Sequence, residues 1–168
     1  MIPPVEQQHL LNGPADGEKP GGGGLVEVTF GSRVAAVDVV SRAKEVLLVV
    51  VSMNAEGSTP ASRRDQLPAW FVDACAPEPS PEEAEAWLVW WRGLDPETRR
   101  RAALDKPWSL ADWEYWLQPE ERQWYWWDAV THGEHSATVS VEVLGWPAPL
   151  GALGWLLRAA GATTVDAG

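Results

Sequence analysis

Apolar and polar positions alternate over residues 26–30. Val26, Val28 and Phe30 are separated by Glu27 and Thr29, the period of a strand with one buried face. Gly31-Ser32 then fits a two-residue hairpin turn. Val34, Val37, Val39 and Val40 follow, mostly β-branched, before a polar break at 41–45 and the run Val46-Leu47-Leu48-Val49-Val50-Val51. That run is apolar on both faces, which predicts a central strand. The three segments together predict a meander over 25–53. A competing reading takes Ser32 as an N-cap and 33–45 as a helix, since Val34, Val37 and Val40 can share a helical face. The rotamer freedom that β-branched residues lose in helices tips the balance to the meander.

After a polar loop at 54–68 the period becomes 3.6. Ala84, Trp87, Leu88 and Trp91 fall on one helical face, as do Leu110, Trp113, Trp116 and Leu117, and then Trp124, Trp127 and Val130. Three helix starts share one design: Ser80-Pro81-Glu82-Glu83, Asp95-Pro96-Glu97-Thr98 and Gln118-Pro119-Glu120-Glu121. Proline at the first helical position gives up no needed hydrogen bond, and first-turn acids complement the helix dipole. Ser80 with Glu83 also makes a capping box. Ser109 with Asp112 is a fourth start, a short helix near 68–75 precedes them, and Gly133 closes the series as a C-cap. Period 2 returns at Val139, Val141 and Val143. A helix with Leu150, Leu153 and Leu157 inward follows, stopped by Gly161, and Thr163-Thr164-Val165 forms a last edge strand.

The pattern predicts one α+β domain over 25–168, with a mixed or antiparallel sheet of four to five strands. Residues 25–53 and 137–168 supply strands, the latter as strand–helix–strand. Residues 66–133 form a Trp-rich multi-helix insertion. Residues 1–24, polar and ending in four glycines, predict a disordered arm.

Composition sharpens this in one place. Ten of the twelve tryptophans lie in residues 70–135. The net charge is −11, and residues 66–131 hold thirteen acidic against six basic side chains. An acidic surface repels phosphate, so nucleic acid and anionic membranes are disfavoured, whereas a basic protein partner is favoured. The longest apolar run is too short to span a bilayer. Cys75 is the sole cysteine and the N-terminus has no secretory pattern, which together predict a cytoplasmic protein.

Candidate chemistry is sparse. On a helix, Asp128 and His132 would stand i, i+4 with His135 in the following turn, a set able to hold a transition metal. The spacing matches no established ligand motif, and His132 is equally a cation at a helix C-terminus. Ser52, Ser58, Ser136 and Cys75 sit in no nucleophile pattern, and adjacent acids such as Glu82 and Glu83 face different sides of a helix. Arg99-Arg100-Arg101 is read as a helix C-terminal cap paired to nearby acids. No cofactor is implied. The adjacent pairs Trp90/Trp91 and Trp126/Trp127 diverge by about 100° around a helix, so some indoles must leave the buried stripe. Trp90, Trp91, Tyr125 and Trp126 are the resulting partner-binding candidates.

The segments Pro107-Trp108-Ser109-Leu110-Ala111-Asp112-Trp113, Gln123-Trp124-Tyr125-Trp126-Trp127-Asp128 and Leu153-Gly154-Trp155-Leu156-Leu157-Arg158-Ala159-Ala160-Gly161 resemble uncharacterised actinobacterial proteins of unknown function. That resemblance spans about residues 25–165 and implies no activity. The expected role is a non-enzymatic accessory protein that binds a basic protein through its Trp-rich helices. Two other readings are a small-molecule or metal-dependent enzyme with an aromatic pocket near Asp128, His132 and His135, and a homodimer that seals the aromatics.

Overall fold

The alternating segment does form a strand, and the sheet assembles on it. The computed structural model describes residues 3–57 and 60–167. β1 (Leu25–Ser32) pairs antiparallel with β3 (Ser136–Val143) on one side and with β4 (Ala162–Ala167) on the other. β2 (Trp124–Thr131) pairs antiparallel with β3, giving the order β2-β3-β1-β4. Val28 and Phe30 of β1, Val139, Val141 and Val143 of β3, and Trp124 and Trp126 of β2 are buried on one face. The other face carries Glu27, Thr29, Thr138 and Ser140 and meets water, as antiparallel sheets commonly do.

The meander over 25–53 is not what forms. β1 runs through Ser32, and a single helix, α2 (Ala36–Glu56), replaces both expected strands. The helix alternative extends through the apolar run as well. Val39, Val40, Ala43, Val46, Leu47, Val50 and Val51 face the core at helical spacing. The run is apolar on two sides because α2 lies on the sheet between α1 (Pro3–Asn12) and α8 (Gly151–Ala160). The helix penalty of a β-branched residue is a few tenths of a kcal/mol, against about 1.5–3 kcal/mol for each buried apolar side chain. Packing decides.

Residues 3–24 also depart from the expected disordered arm. α1 buries Glu6, His9 and Leu10, and the glycine run is ordered against the end of β3. Gly23 donates to the Val143 carbonyl at 2.9 Å. A Cβ there would stand 2.9 Å from Gly145 N, so only glycine allows this approach.

The remaining helices are α3 (Pro60–Gln66), α4 (Ala69–Ala74), α5 (Pro81–Arg92), α6 (Pro96–Asp105) and α7 (Leu110–Leu117). Of these, α4, α6 and α7 pack on α8, α3 packs on α2 and α5 packs on α6. The starts at Ser80, Asp95 and Ser109 are true N-caps, each accepting a main-chain N–H, and Ser80 with Glu83 closes a capping box. Gln118-Pro119 starts no helix. Gln118 ends α7, the acids sit in a turn, and the chain enters β2. The helical insertion thus stops near 117 and not at 133. Trp113 is fully buried, donating its indole N–H to the Ala152 carbonyl at 2.9 Å and lying edge-on to Phe71. Gly151 lets Trp108 close on α8, since a Cβ there would meet the indole at 2.7 Å. Among the described residues, no helix is long and apolar enough to cross a membrane.

Candidate functional site

α5 and α6 form a helical hairpin whose interior is aromatic and cationic. Trp87 and Trp91, one turn apart, stack at 6.0 Å with 19° between planes. Lys106 Nζ sits 4.2 Å from the Trp87 ring centre, and the Arg99 guanidinium lies 5.5 Å over Trp91. The Trp91 indole N–H donates to the Arg99 carbonyl at 3.0 Å, and Arg99 itself donates to the Arg92 carbonyl. Asp95 caps α6 through Thr98. The hydroxyl and N–H of Thr98 hold the Asp95 carboxyl below its ordinary range.

With Trp87 and Trp91 turned inward, the rest of α5 is left uncovered, and the Trp90 ring flanks Trp87 at 6.3 Å while staying exposed. No residue of α5 is buried, and Val89 and Trp90 stand 65% and 54% exposed. Leu88 is also exposed, and Tyr115 and Trp116 of α7 present further aromatic surface. Helical phase sets Glu82 and Glu85 in line with Val89, and Glu83 in line with Trp90, about 100° further round the helix. The result is an apolar end joined to an acidic end on one short helix.

The other partner-binding candidates are placed differently. Trp91 is half-buried inside the hairpin, and Trp126 is fully buried with its indole under α2, near Lys44. Helical divergence does not apply to Trp126, because it lies on a strand. A register shift between Trp126 and Asp128 turns Trp126 and Trp127 both into the protein. Tyr125 is half-buried beneath the Arg122 guanidinium, which stands 5.0 Å from both the Tyr125 and Trp124 rings. Arg122 is buried and forms a two-pronged ion pair with buried Glu6 of α1.

Asp128, His132 and His135 do not converge. Residues four apart on a strand are about 13 Å apart along it, not one helical turn. Asp128 Oδ1 accepts the adjacent Ala129 N–H at 2.8 Å, and His132 Nε2 meets Thr138 Oγ1 at 2.8 Å. His135 lies 3.8 Å from Glu134 at the open tip of the β2–β3 hairpin. Among the described residues, no three His, Cys, Asp or Glu side chains are grouped to hold a metal ion.

Asp128 instead belongs to a device that closes the β2 edge. Trp126 donates its outward N–H to Glu6 Oε1 at 2.9 Å, and its carbonyl stands 3.3 Å from His9 Nδ1. The far nitrogen of His9 lies 2.8 Å from Glu18. The Ala15 N–H, and then His9, hold the Glu18 carboxyl below its ordinary range. Side chains of α1 and Asp128 thus occupy main-chain groups that would otherwise invite another strand.

Cys75 is half-buried at the end of α4, where burial pushes its thiol up, away from the nucleophilic thiolate. Burial likewise raises the carboxyl of nearby Glu114. The arginine run does not cap its own helix: among the described residues, Arg99 bonds the Arg92 carbonyl at the end of α5 and Arg100 and Arg101 bond no carbonyl. Arg100 and Arg101 line a groove beside β4, and Ser58 lies outside the described residues.

The exposure of Val89 and Leu88 is not legible in the sequence, because helical spacing promises α5 one covered face, and that face is only half covered, at Trp87 and Trp91. Sequence reasoning missed Glu6 and His9 because the buried side of α1 is polar and gives no apolar period. No family model matches this chain, and no curated protein or solved structure is significantly similar to it.

Proposed function

We propose that this chain is a non-enzymatic accessory protein of the cytoplasm that binds a basic segment of a partner protein on the outer face of α5. One observation carries the reading: a twelve-residue helix buries none of its side chains yet turns Val89 and Trp90 to solvent. Isolated exposed apolar residues are ordinary, but an exposed Trp at the end of an acidic helix, with exposed Leu88 and Val89 on the adjoining faces, offers an anchor and a steering field together. Glu82, Glu83 and Glu85 match Lys or Arg on the partner. A single cysteine forms no disulfide within the chain, which suits a reducing compartment.

The exposed half of Trp90 offers about 100 Å² to a partner, about 2.5 kcal/mol at about 25 cal/mol/Å². Trp90→Ala should therefore weaken binding on the order of 50-fold. The test captures native-lysate proteins on the wild-type chain and on Trp90→Ala/Val89→Glu, at low and at high salt. The expected result is a Lys- and Arg-rich species that is held by the wild type, released by salt and lost with the variant. Identical captured sets from both chains would sink the reading.

A further inference from the structure

The two edges of the sheet are treated differently. The β2 edge is closed by Glu6, His9 and Asp128, as described above. β4 is hydrogen-bonded to β1 alone, and no strand lies beyond it among the described residues. Along β1, alternate residues turn their main-chain groups to opposite neighbours. Ser32 N–H goes to the His135 carbonyl on the β3 side, whereas Gly31 N–H turns to Thr164 Oγ1 at 3.1 Å. Thr29 therefore also faces β4, opposite Asp166. Asp166 uses its main-chain groups on β1, so Val165 and Ala167 aim theirs outward.

Outside that edge lies a groove of about 450 Å³ walled by α6. Glu97, Arg100, Arg101 and Asp166 line it, and among the described residues none of these side chains makes an ion pair or hydrogen bond. Two free charges of each sign border the open strand. A foreign acidic or basic segment would satisfy only one sign, whereas a second copy of the same surface supplies both.

We propose that two copies of this chain join through β4, paired antiparallel about a two-fold axis at Val165. In that register the two Val165 residues exchange both N–H···O bonds. Asp166 falls opposite Thr164 of the second copy. The Thr164 oxygen accepts from Gly31, leaving its proton free to donate to that carboxylate. The sheets fuse into one of eight strands with both helix layers on the same side. The Glu97 and Arg100–Arg101 wall meets its own copy. This dimer leaves the α5 face free and does not depend on it.

The test is sedimentation of the full chain from about 1 μM to about 0.5 mM. The mass should rise from 18.4 kDa toward twice that value. Val165→Pro removes the outward N–H at a position where an edge strand tolerates proline, and should weaken the dimer by about tenfold or more. Asp166→Lys, at an exposed site, should weaken it too, which keeps the test decisive if the proline variant unfolds. In a Cys75→Ser background, Val165→Cys should cross-link under mild oxidation. Hydrogen-bonded antiparallel residues hold their Cα atoms about 5.5 Å apart, within disulfide range. Thr131→Cys on the closed edge should not cross-link. A monomer at every concentration overturns the proposal, whether or not an acidic peptide binds at β4. So does a dimer that survives Asp166→Lys and fails to cross-link at position 165.

Discussion

Replacing Glu6 with alanine tests the anchoring of α1. It leaves the Arg122 guanidinium buried without its carboxylate and the Trp126 N–H without its acceptor. Breaking one side of a buried pair costs about 3–5 kcal/mol, and an orphaned buried N–H adds about 1–3 kcal/mol. The chain has a cheaper route. Among the described side chains, α1 holds on by this pair, by His9 and by one buried apolar side chain, Leu10, worth about 1.5–3 kcal/mol. Letting α1 leave the β2 edge hydrates Arg122, which keeps its stacking on Trp124 and Tyr125. The loss is therefore capped near about 3 kcal/mol, or roughly 6–12 °C in a chain of this length. Urea melts should show the drop. Hydrogen exchange should place it, with amides of α1 and Trp126 losing protection while β3 keeps its own. Glu6→Gln with Arg122→Met keeps an acceptor for Trp126 and removes both charges, so it should recover most of the loss. A Glu6→Ala chain within about 0.5 kcal/mol of wild type, with α1 still protected, would refute the reasoning.

Two further predictions concern the helical layer. Gly151→Ala should destabilise by about 1–2 kcal/mol in thermal melts, although alanine is the better helix former, because its Cβ would meet the Trp108 indole at 2.7 Å. Paired with Trp108→Leu, the same change should become neutral or favourable. The Glu114 carboxyl is raised above 4.5, so just above that pH the folded chain holds a proton that the unfolded chain has lost. Stability therefore falls as pH rises through that window and stays lower above it. Glu114→Gln should stabilise the protein at pH 7 by less than about 1 kcal/mol, since the side chain keeps contact with water. That gain should disappear in melts below pH 4.5.

Local chemistry made much of the frame legible. Ser80, Asp95 and Ser109 cap helices because a capping side chain needs only its next three residues. Val26, Val28 and Phe30, like Val139, Val141 and Val143, form strands with one wet face, and their alternation declares that environment. The exposed site was partly legible for the same reason. The adjacent Trp90 and Trp91 had to diverge on a helix, and one of them is exposed.

What tertiary structure alone decided lies where a segment is covered on more than one side or buries charge. Residues 46–51 are apolar all round in either conformation, and only their position between α1 and α8 makes them helix. Trp124, Trp127 and Val130 satisfy a helical count, yet β3 offers residues 124–131 a ladder, and a shifted register buries two successive indoles. Glu6 finds Arg122 across 116 positions, and no local rule joins a carboxylate in a polar arm to an arginine before a strand. Periodicity reports how a side chain relates to water along its own element. It is silent on which other element removes that water, and here that second partner turned an expected loose arm into the guard of a sheet edge.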